Sequence, residues 1–245
     1  MKKYNINWKQ VLVFYLVAVG VSAIFRLNLF GLETNITWPL GLNIYLFILK
    51  GIGPITGFMV IRYLLNNKVE TGINTFWGTD KTRSLVSIAV IPVMMTILGV
   101  SNSKGLNIHY YGLIYSTMYV IYAMFEEYGW RGYLQNALLP LPELARILLI
   151  AVLWFVWHLN FITSDMIFSQ HLWHFAFLVL GSWGLIKITE KTHSLLFATA
   201  VHLSFNLLTD VNGEFQKRMI VIAVAVIVWF MAWSKTGKRK EPEGV

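Results

Sequence analysis

Long apolar runs constrain this 245-residue chain more than any other feature of its sequence. A segment inside a bilayer must satisfy its own backbone hydrogen bonds, so an apolar run of about 20 residues predicts a membrane-spanning helix. We identify eight such runs, at about Trp8–Phe25, Leu42–Leu65, Leu85–Val100, Tyr111–Leu138, Ala145–Phe161, Leu172–Ile188, Leu195–Leu208 and Met219–Trp233. The fold class predicted is therefore all-α, a polytopic membrane helix bundle.

Composition supports this interpretation and excludes other classes. Hydrophobic residues make up 56% of the chain and charged residues only 13%, against about 25% charged in soluble domains. There is no cysteine, which excludes disulfides, thiolate metal sites and cysteine nucleophiles. The net charge of +8 forms no stripe or motif, so we expect no nucleic-acid partner. No linker or repeat divides the chain, and we predict one domain over residues 1–245.

The basic residues predict the orientation. With both termini cytoplasmic, 15 of the 20 lysines and arginines lie on the inside and 4 outside, while Lys50 falls within a span. Cytoplasmic loops carry the excess of positive charge, so we expect an even number of spans in a cell membrane. The loops are compatible with a bacterial source. An alternative is that Lys2, Lys3 and the first run form a cleaved signal peptide.

Two adjacent carboxylates, Glu126 and Glu127, lie well inside an apolar run. Each costs at least about 2.5 kcal/mol to place at the centre of a membrane, and such residues usually face a bundle interior and serve a function. His158 and His202 are buried in later runs, whereas we expect the other histidines to be interfacial, namely His109, His171, His174 and His193. Helix geometry places the three polar positions at similar depths, roughly 11–20 Å from the cytoplasmic helix ends.

Spacing suggests how these groups pair. Glu127 and Arg131 are four residues apart and can pair along one helical face, while Glu126 points about 100° away. His202 and Asn206, also four apart, share a face. The alternative reading of the whole set is a structural polar network that holds helices together.

The set suffices for amide hydrolysis. A buried carboxylate can activate water, His202 and Asn206 can donate to an oxyanion, and His158 can orient the water. A zinc-type site on Glu126, Glu127, His158 and His202 is the rival chemistry, although the HExxH motif is absent. We expect no cofactor, with a divalent metal as the minority alternative.

The pattern resembles the CPBP intramembrane proteases, the family of CAAX prenyl endopeptidases and of the bacterial Abi, or bacteriocin self-immunity, proteins. Glu126 to Arg131 matches the EExxxR motif, His158 matches FxxxH with Trp154 in place of phenylalanine, and His202 to Asn206 matches HxxxN. The motif-bearing core spans about 111–208.

The resemblance implies a role for each residue. Glu126 would be the catalytic base that holds water with His158, Glu127 the structural partner of Arg131, and His202 with Asn206 the oxyanion-stabilising pair. We therefore predict a metal-independent glutamate endopeptidase acting on a membrane-associated peptide or protein. Alternatives are a non-catalytic protein for bacteriocin immunity or regulator scaffolding, and a proton-coupled transporter, for which the two-half repeat is missing.

Overall fold

The computed structural model describes residues 5–32, 39–41, 44–65, 74–209 and 214–234. These residues form helices and no strand, apart from one isolated β-bridge between Thr75 and Ser194. The longer helices are α1 (Trp8–Arg26), α2 (Ile44–Lys50), α3 (Ile52–Met59), α4 (Lys81–Leu98), α5 (Ile108–Gly129), α6 (Glu143–His158), α7 (Phe168–Thr192), α8 (Leu195–Thr209) and α9 (Phe215–Trp233). Three shorter helical segments are Pro39–Gly41, Gln135–Ala137 and Asn160–Thr163. A π-helical segment, Val60–Leu64, continues α3, and a second one, Trp130–Leu134, continues α5. The all-helical prediction is confirmed.

Each of the eight predicted runs coincides with helix in the described residues. The second run is divided at Gly51 into α2 and α3. Five segments are both long and apolar enough to cross a membrane, namely Trp8–Arg26, Lys81–Leu98, Glu143–Thr163, Phe168–Thr192 and Phe215–Trp233. The membrane class is thus supported, while the count of eight crossings and the orientation stay predictions.

Local sequence fixes where the helices begin and end. The side chains of Asn7, Asp80 and Asn107 accept hydrogen bonds from backbone N–H groups in the first turns of α1, α4 and α5, which satisfies donors that a helix start leaves unpaired. At the other ends of α6 and α7, Leu159 and His193 adopt positive φ angles of 57° and 55°. Such a left-handed residue stops a helix and closes its last turn.

The outer helices present apolar side chains outward. Leu16 in α1 is 60% exposed and Phe230 in α9 is 73% exposed. Many other large apolar residues along these helices are exposed as well. A contiguous apolar surface of this kind is what a lipid-facing helix requires.

Helix α5 packs against α2, α3, α4 and α8 and carries the two glutamates into the middle of the bundle. Glycine lets the backbones approach closely: a Cβ on Gly112 would lie 2.3 Å from the Met95 carbonyl oxygen, and one on Gly129 would lie 2.4 Å from Pro54. In α3, Gly53 and Gly57 contact the α1 backbone in the same way. Small residues at four-residue spacing are typical of tightly packed membrane helices.

Ion pairs join α6 to α7 near one end of the bundle. Arg146 pairs with Glu190, and Lys187 pairs with Glu143 at 2.6 Å. Both Arg146 and Arg131, which the orientation count places with the inside charges, are buried in the bundle. Arg131 in particular lies in the π-helical segment rather than in a loop, so its role is internal.

Candidate active site

Glu126 and Glu127 lie in the last turn of α5, and both side chains are fully buried. The π-helical segment that follows brings Arg131 to the same level of the bundle. Such π-helical insertions are frequent at functional sites. The two carboxylates point in different directions and have different partners.

Glu127 is held by two nitrogen donors. Arg131 Nη1 lies 3.2 Å from Glu127 Oε1, and His202 Nδ1 lies 2.7 Å from the same oxygen. All three side chains are almost completely excluded from solvent. The predicted Glu127–Arg131 pair is therefore present, and His202 joins it, which the sequence did not predict. Since the ion-paired carboxylate has no proton to donate, the network assigns the hydrogen of this contact to His202 Nδ1.

Glu126 has a different environment. Its Oε2 accepts a 2.7 Å hydrogen bond from the indole Nε1 of Trp154 in α6. Its Oε1 is buried and accepts no hydrogen bond from any residue that the structure describes. One turn earlier in α5, the Tyr122 hydroxyl faces this carboxylate. Glu126 Oε1 is thus a buried acceptor without a hydrogen-bond donor among the described residues.

Trp154 contacts four of the predicted site residues. Besides the bond to Glu126, its ring lies 4.6 Å from the Arg131 guanidinium and 5.1 Å from the His202 ring. Its backbone oxygen accepts a 2.8 Å hydrogen bond from Nδ1 of His158. The motif comparison did not predict the hydrogen bond from Trp154 to Glu126.

His158 is the last residue of α6. Because its Nδ1 faces a carbonyl oxygen, that nitrogen carries the hydrogen and Nε2 presents a lone pair. The ring lies 5.1 Å from the His174 ring. The half-buried His174 side chain also lies 3.4 Å from Asn160 Nδ2, so it adjoins the site, while its interfacial placement stays a prediction. The chain turn after His158 folds the start of α7 back over the site.

Asn206 follows His202 by one turn of α8 and is half-buried. Its Nδ2 is buried and has no hydrogen-bond partner within the described part of the chain. A buried amide donor without a partner is uncommon in folded proteins. The structure therefore places the six predicted residues on α5, its π-helical extension, α6 and α8, with five of them joined through the contacts of Trp154 and Glu127.

Arg26, at the end of α1, is a site component that the sequence did not indicate. It donates to the His158 carbonyl oxygen at 3.2 Å, to the Lys50 carbonyl oxygen at 3.2 Å and to the Tyr122 hydroxyl at 3.1 Å. Its guanidinium also lies 3.9 Å from the centre of the Trp157 ring. The sequence contains one feature that relates to this part of the site: Tyr122 and Glu126 are four residues apart and therefore lie on the same face of the helix.

The rival hypothesis is a zinc-type site on Glu126, Glu127, His158 and His202. No group of three or more histidine, aspartate and glutamate side chains is placed to hold a metal ion in the residues that the structure describes. One oxygen of Glu127 already accepts from two donors, and His202 Nδ1 is directed at that oxygen. The expectation that the site needs no metal stays a prediction.

Comparison with known proteins supports the resemblance. Residues 109–208 match the family model described as type II CAAX prenyl endopeptidase Rce1-like. No curated protein and no solved structure matches the chain. The matched segment contains the two glutamates, Arg131, both site histidines and Asn206. Over this segment, which is less than half of its length, the chain is similar to the Rce1-like CAAX prenyl endopeptidases.

Proposed function

We propose that this protein is a metal-independent intramembrane endopeptidase that uses Glu126 to activate water. The observation that carries the proposal is the contrast between two adjacent buried carboxylates. Glu127 Oε1 accepts from Arg131 and His202, whereas Glu126 Oε2 accepts from the neutral Trp154 indole. The neutral Tyr122 hydroxyl also faces Glu126, and Glu126 Oε1 has no hydrogen-bond partner among the described residues. A carboxylate without a bound cation is the better proton acceptor of the two.

The acceptors available at the site suit a water molecule. Glu126 Oε1 and His158 Nε2 both present lone pairs, and water has two hydrogens to donate. A water that donates to both directs its own lone pair away from them. In this pose the oxygen is ready to attack a carbonyl carbon while Glu126 takes the proton.

The remaining donors suit the tetrahedral intermediate. As the new C–O bond forms, the carbonyl oxygen becomes an oxyanion, and Asn206 Nδ2 supplies one N–H. His202 supplies a second at Nε2 only as an imidazolium, because its Nδ1–H is already directed at Glu127. Glu126 then gives its proton to the leaving nitrogen, the C–N bond breaks, and an acid and an amine result.

The substrate class proposed is a membrane-associated peptide or protein. The family description names CAAX prenyl endopeptidases, so prenylated chains are included in that class. We further propose eight membrane crossings in a cell membrane of a bacterium, with both termini cytoplasmic. Because the chain has no cysteine, single cysteines introduced into loops and labelled with a membrane-impermeant maleimide would test this orientation directly.

The function is tested by comparing peptide termini in membranes from cells that carry wild type or Glu126→Gln at equal abundance. We expect a set of termini to disappear in the variant, because glutamine keeps the shape and cannot accept the proton. Glu143→Gln is the matched control, since Glu143 is exposed and pairs with Lys187. Its termini should equal those of wild type.

Two outcomes would contradict the proposal. Unchanged termini in Glu126→Gln, together with a retained immunity or signalling phenotype, would favour the non-catalytic alternative. Loss of cleavage on treatment with a zinc chelator, with recovery on adding zinc, would refute metal independence while leaving the peptidase assignment in place.

A further inference from the structure

Trp154 joins the two groups that hold the water in the proposed mechanism. We propose that it is a positioning residue that sets the Glu126 carboxylate and the His158 ring relative to one another; this inference rests on the function proposed above. Its side chain and its backbone each make one of the two contacts. The same residue therefore acts on both partners of the water.

The side-chain contact fixes Glu126. The indole N–H can only donate, and it lies 2.7 Å from Oε2 of a fully buried carboxylate. A hydrogen bond to an ionised group in a buried site is short and strong. It occupies one oxygen and leaves Oε1 as the only oxygen of this carboxylate free to act as base.

The backbone contact fixes His158. Trp154 and His158 are one turn apart in α6, and the 2.8 Å bond from Nδ1 to the Trp154 carbonyl sets both the ring orientation and the tautomer. The lone pair of Nε2 is thereby directed away from the helix. Orientation of a catalytic imidazole by a bond to its other nitrogen is a general requirement of such sites.

The indole is itself held in place. Trp154 is 2% exposed, with the Arg131 guanidinium 4.6 Å from the ring and the His202 ring edge-on at 5.1 Å. A side chain with two rotatable bonds, confined in this way, has little freedom to move Nε1. Phenylalanine, the residue of the FxxxH motif, would keep the ring packing and the backbone contact but lose the N–H.

The experiment compares turnover by the full chain in nanodiscs carrying Trp154→Phe or 3-benzothienylalanine at position 154, which replaces the N–H by sulfur and keeps the shape. The substrate is a quenched-fluorescent peptide spanning the cleavage site found in the termini comparison. Trp229→Phe is the matched control, since Trp229 is also buried and donates to the Ser87 carbonyl oxygen at 3.0 Å, far from the site. We expect kcat to fall roughly 10-fold to 100-fold in both position-154 variants, because each variant loses one hydrogen bond to a charged group. KM should stay within about twofold.

The outcomes separate this inference from the function itself. Full kcat in both position-154 variants, with Glu126→Gln inactive, would overturn the role of Trp154 alone. If Glu126→Gln cleaves like wild type, the proposed function fails. A double-mutant cycle measured by thermal unfolding then tests the hydrogen bond between Trp154 and Glu126. In that cycle Trp154→Phe should lower Tm less in the Glu126→Gln background than in wild type, and an equal loss in both would refute the pairing.

Discussion

Replacing Glu127 by methionine removes one charge from a buried cluster and leaves Arg131 without its carboxylate. Both side chains of this pair are 0% exposed, so no water compensates the guanidinium in the variant. Its remaining neighbours are the Trp154 ring at 4.6 Å and the more distant Glu126 carboxylate. Breaking a buried ion pair in this way costs about 3–5 kcal/mol of folding free energy.

The opposite change, Arg131→Met, should cost less. Glu127 then keeps His202 at 2.7 Å, and an imidazolium can neutralise it. We expect a loss of about 1–3 kcal/mol, the range for a hydrogen bond to a charged group. The double variant should be more stable than Glu127→Met alone, because no uncompensated cation remains.

Thermal unfolding in a fixed detergent measures the series. For a chain of this size, 1 kcal/mol corresponds to roughly 2–4 °C in Tm, so Glu127→Met should lower Tm by roughly 6–20 °C. Glu143→Met is the matched control, since the Glu143–Lys187 pair is 48% and 44% exposed and should contribute no more than about 1 kcal/mol. Equal losses for Glu127→Met and Arg131→Met, or strict additivity in the double variant, would refute this account of the cluster.

Two further predictions concern regions outside this cluster. Arg26→Lys keeps the charge but loses the planar guanidinium that binds three oxygens on α2, α5 and α6. We therefore expect a lower Tm in thermal unfolding and a lower kcat in peptide turnover. A variant equal to wild type in both measurements would contradict the bridging role of Arg26. For Glu214, burial alone would raise the pKa, but hydrogen bonds from Lys217 and Ser101 outweigh it and hold the pKa below its ordinary value of 4.5. The stability that wild type has over Glu214→Gln should therefore be full above pH 4.5 and decline as the pH falls below it, and a Tm difference that grows in acid would show that the sign is wrong.

The sequence predicted the positions of the helices well because the membrane demands long apolar runs. It also predicted that Glu126, His158 and His202 lie inside the bundle, since charged and polar groups interrupt those runs. The apolar runs do not determine how each helix is rotated about its own axis. Whether the Trp154 indole meets Glu126 depends on how α6 faces α5, and no spacing within one helix determines that.

Arg26 illustrates the second limit. At the end of the first apolar run it counts as an outside charge, yet it donates to the carbonyl of His158, 132 residues later in the chain. Such a contact depends on the packing of α1 against α3 and α6, which the glycines of α3 permit at close range. A cation near a span end is ambiguous between a topology signal and a bridge until that packing is known.

The adjacency of the two glutamates acquires a physical reason in the proposed mechanism. Neighbouring residues on a helix differ by about 100° in direction, so one turn of α5 presents a carboxylate to α8 and another to α6. The carboxylate directed toward α8, that of Glu127, pairs with Arg131 and His202. The one toward α6 meets a neutral indole donor and stays able to change its protonation state. One carboxylate alone could not serve both roles, because a carboxylate that is paired with Arg131 and His202 is held in its ionised form and is a weaker proton acceptor.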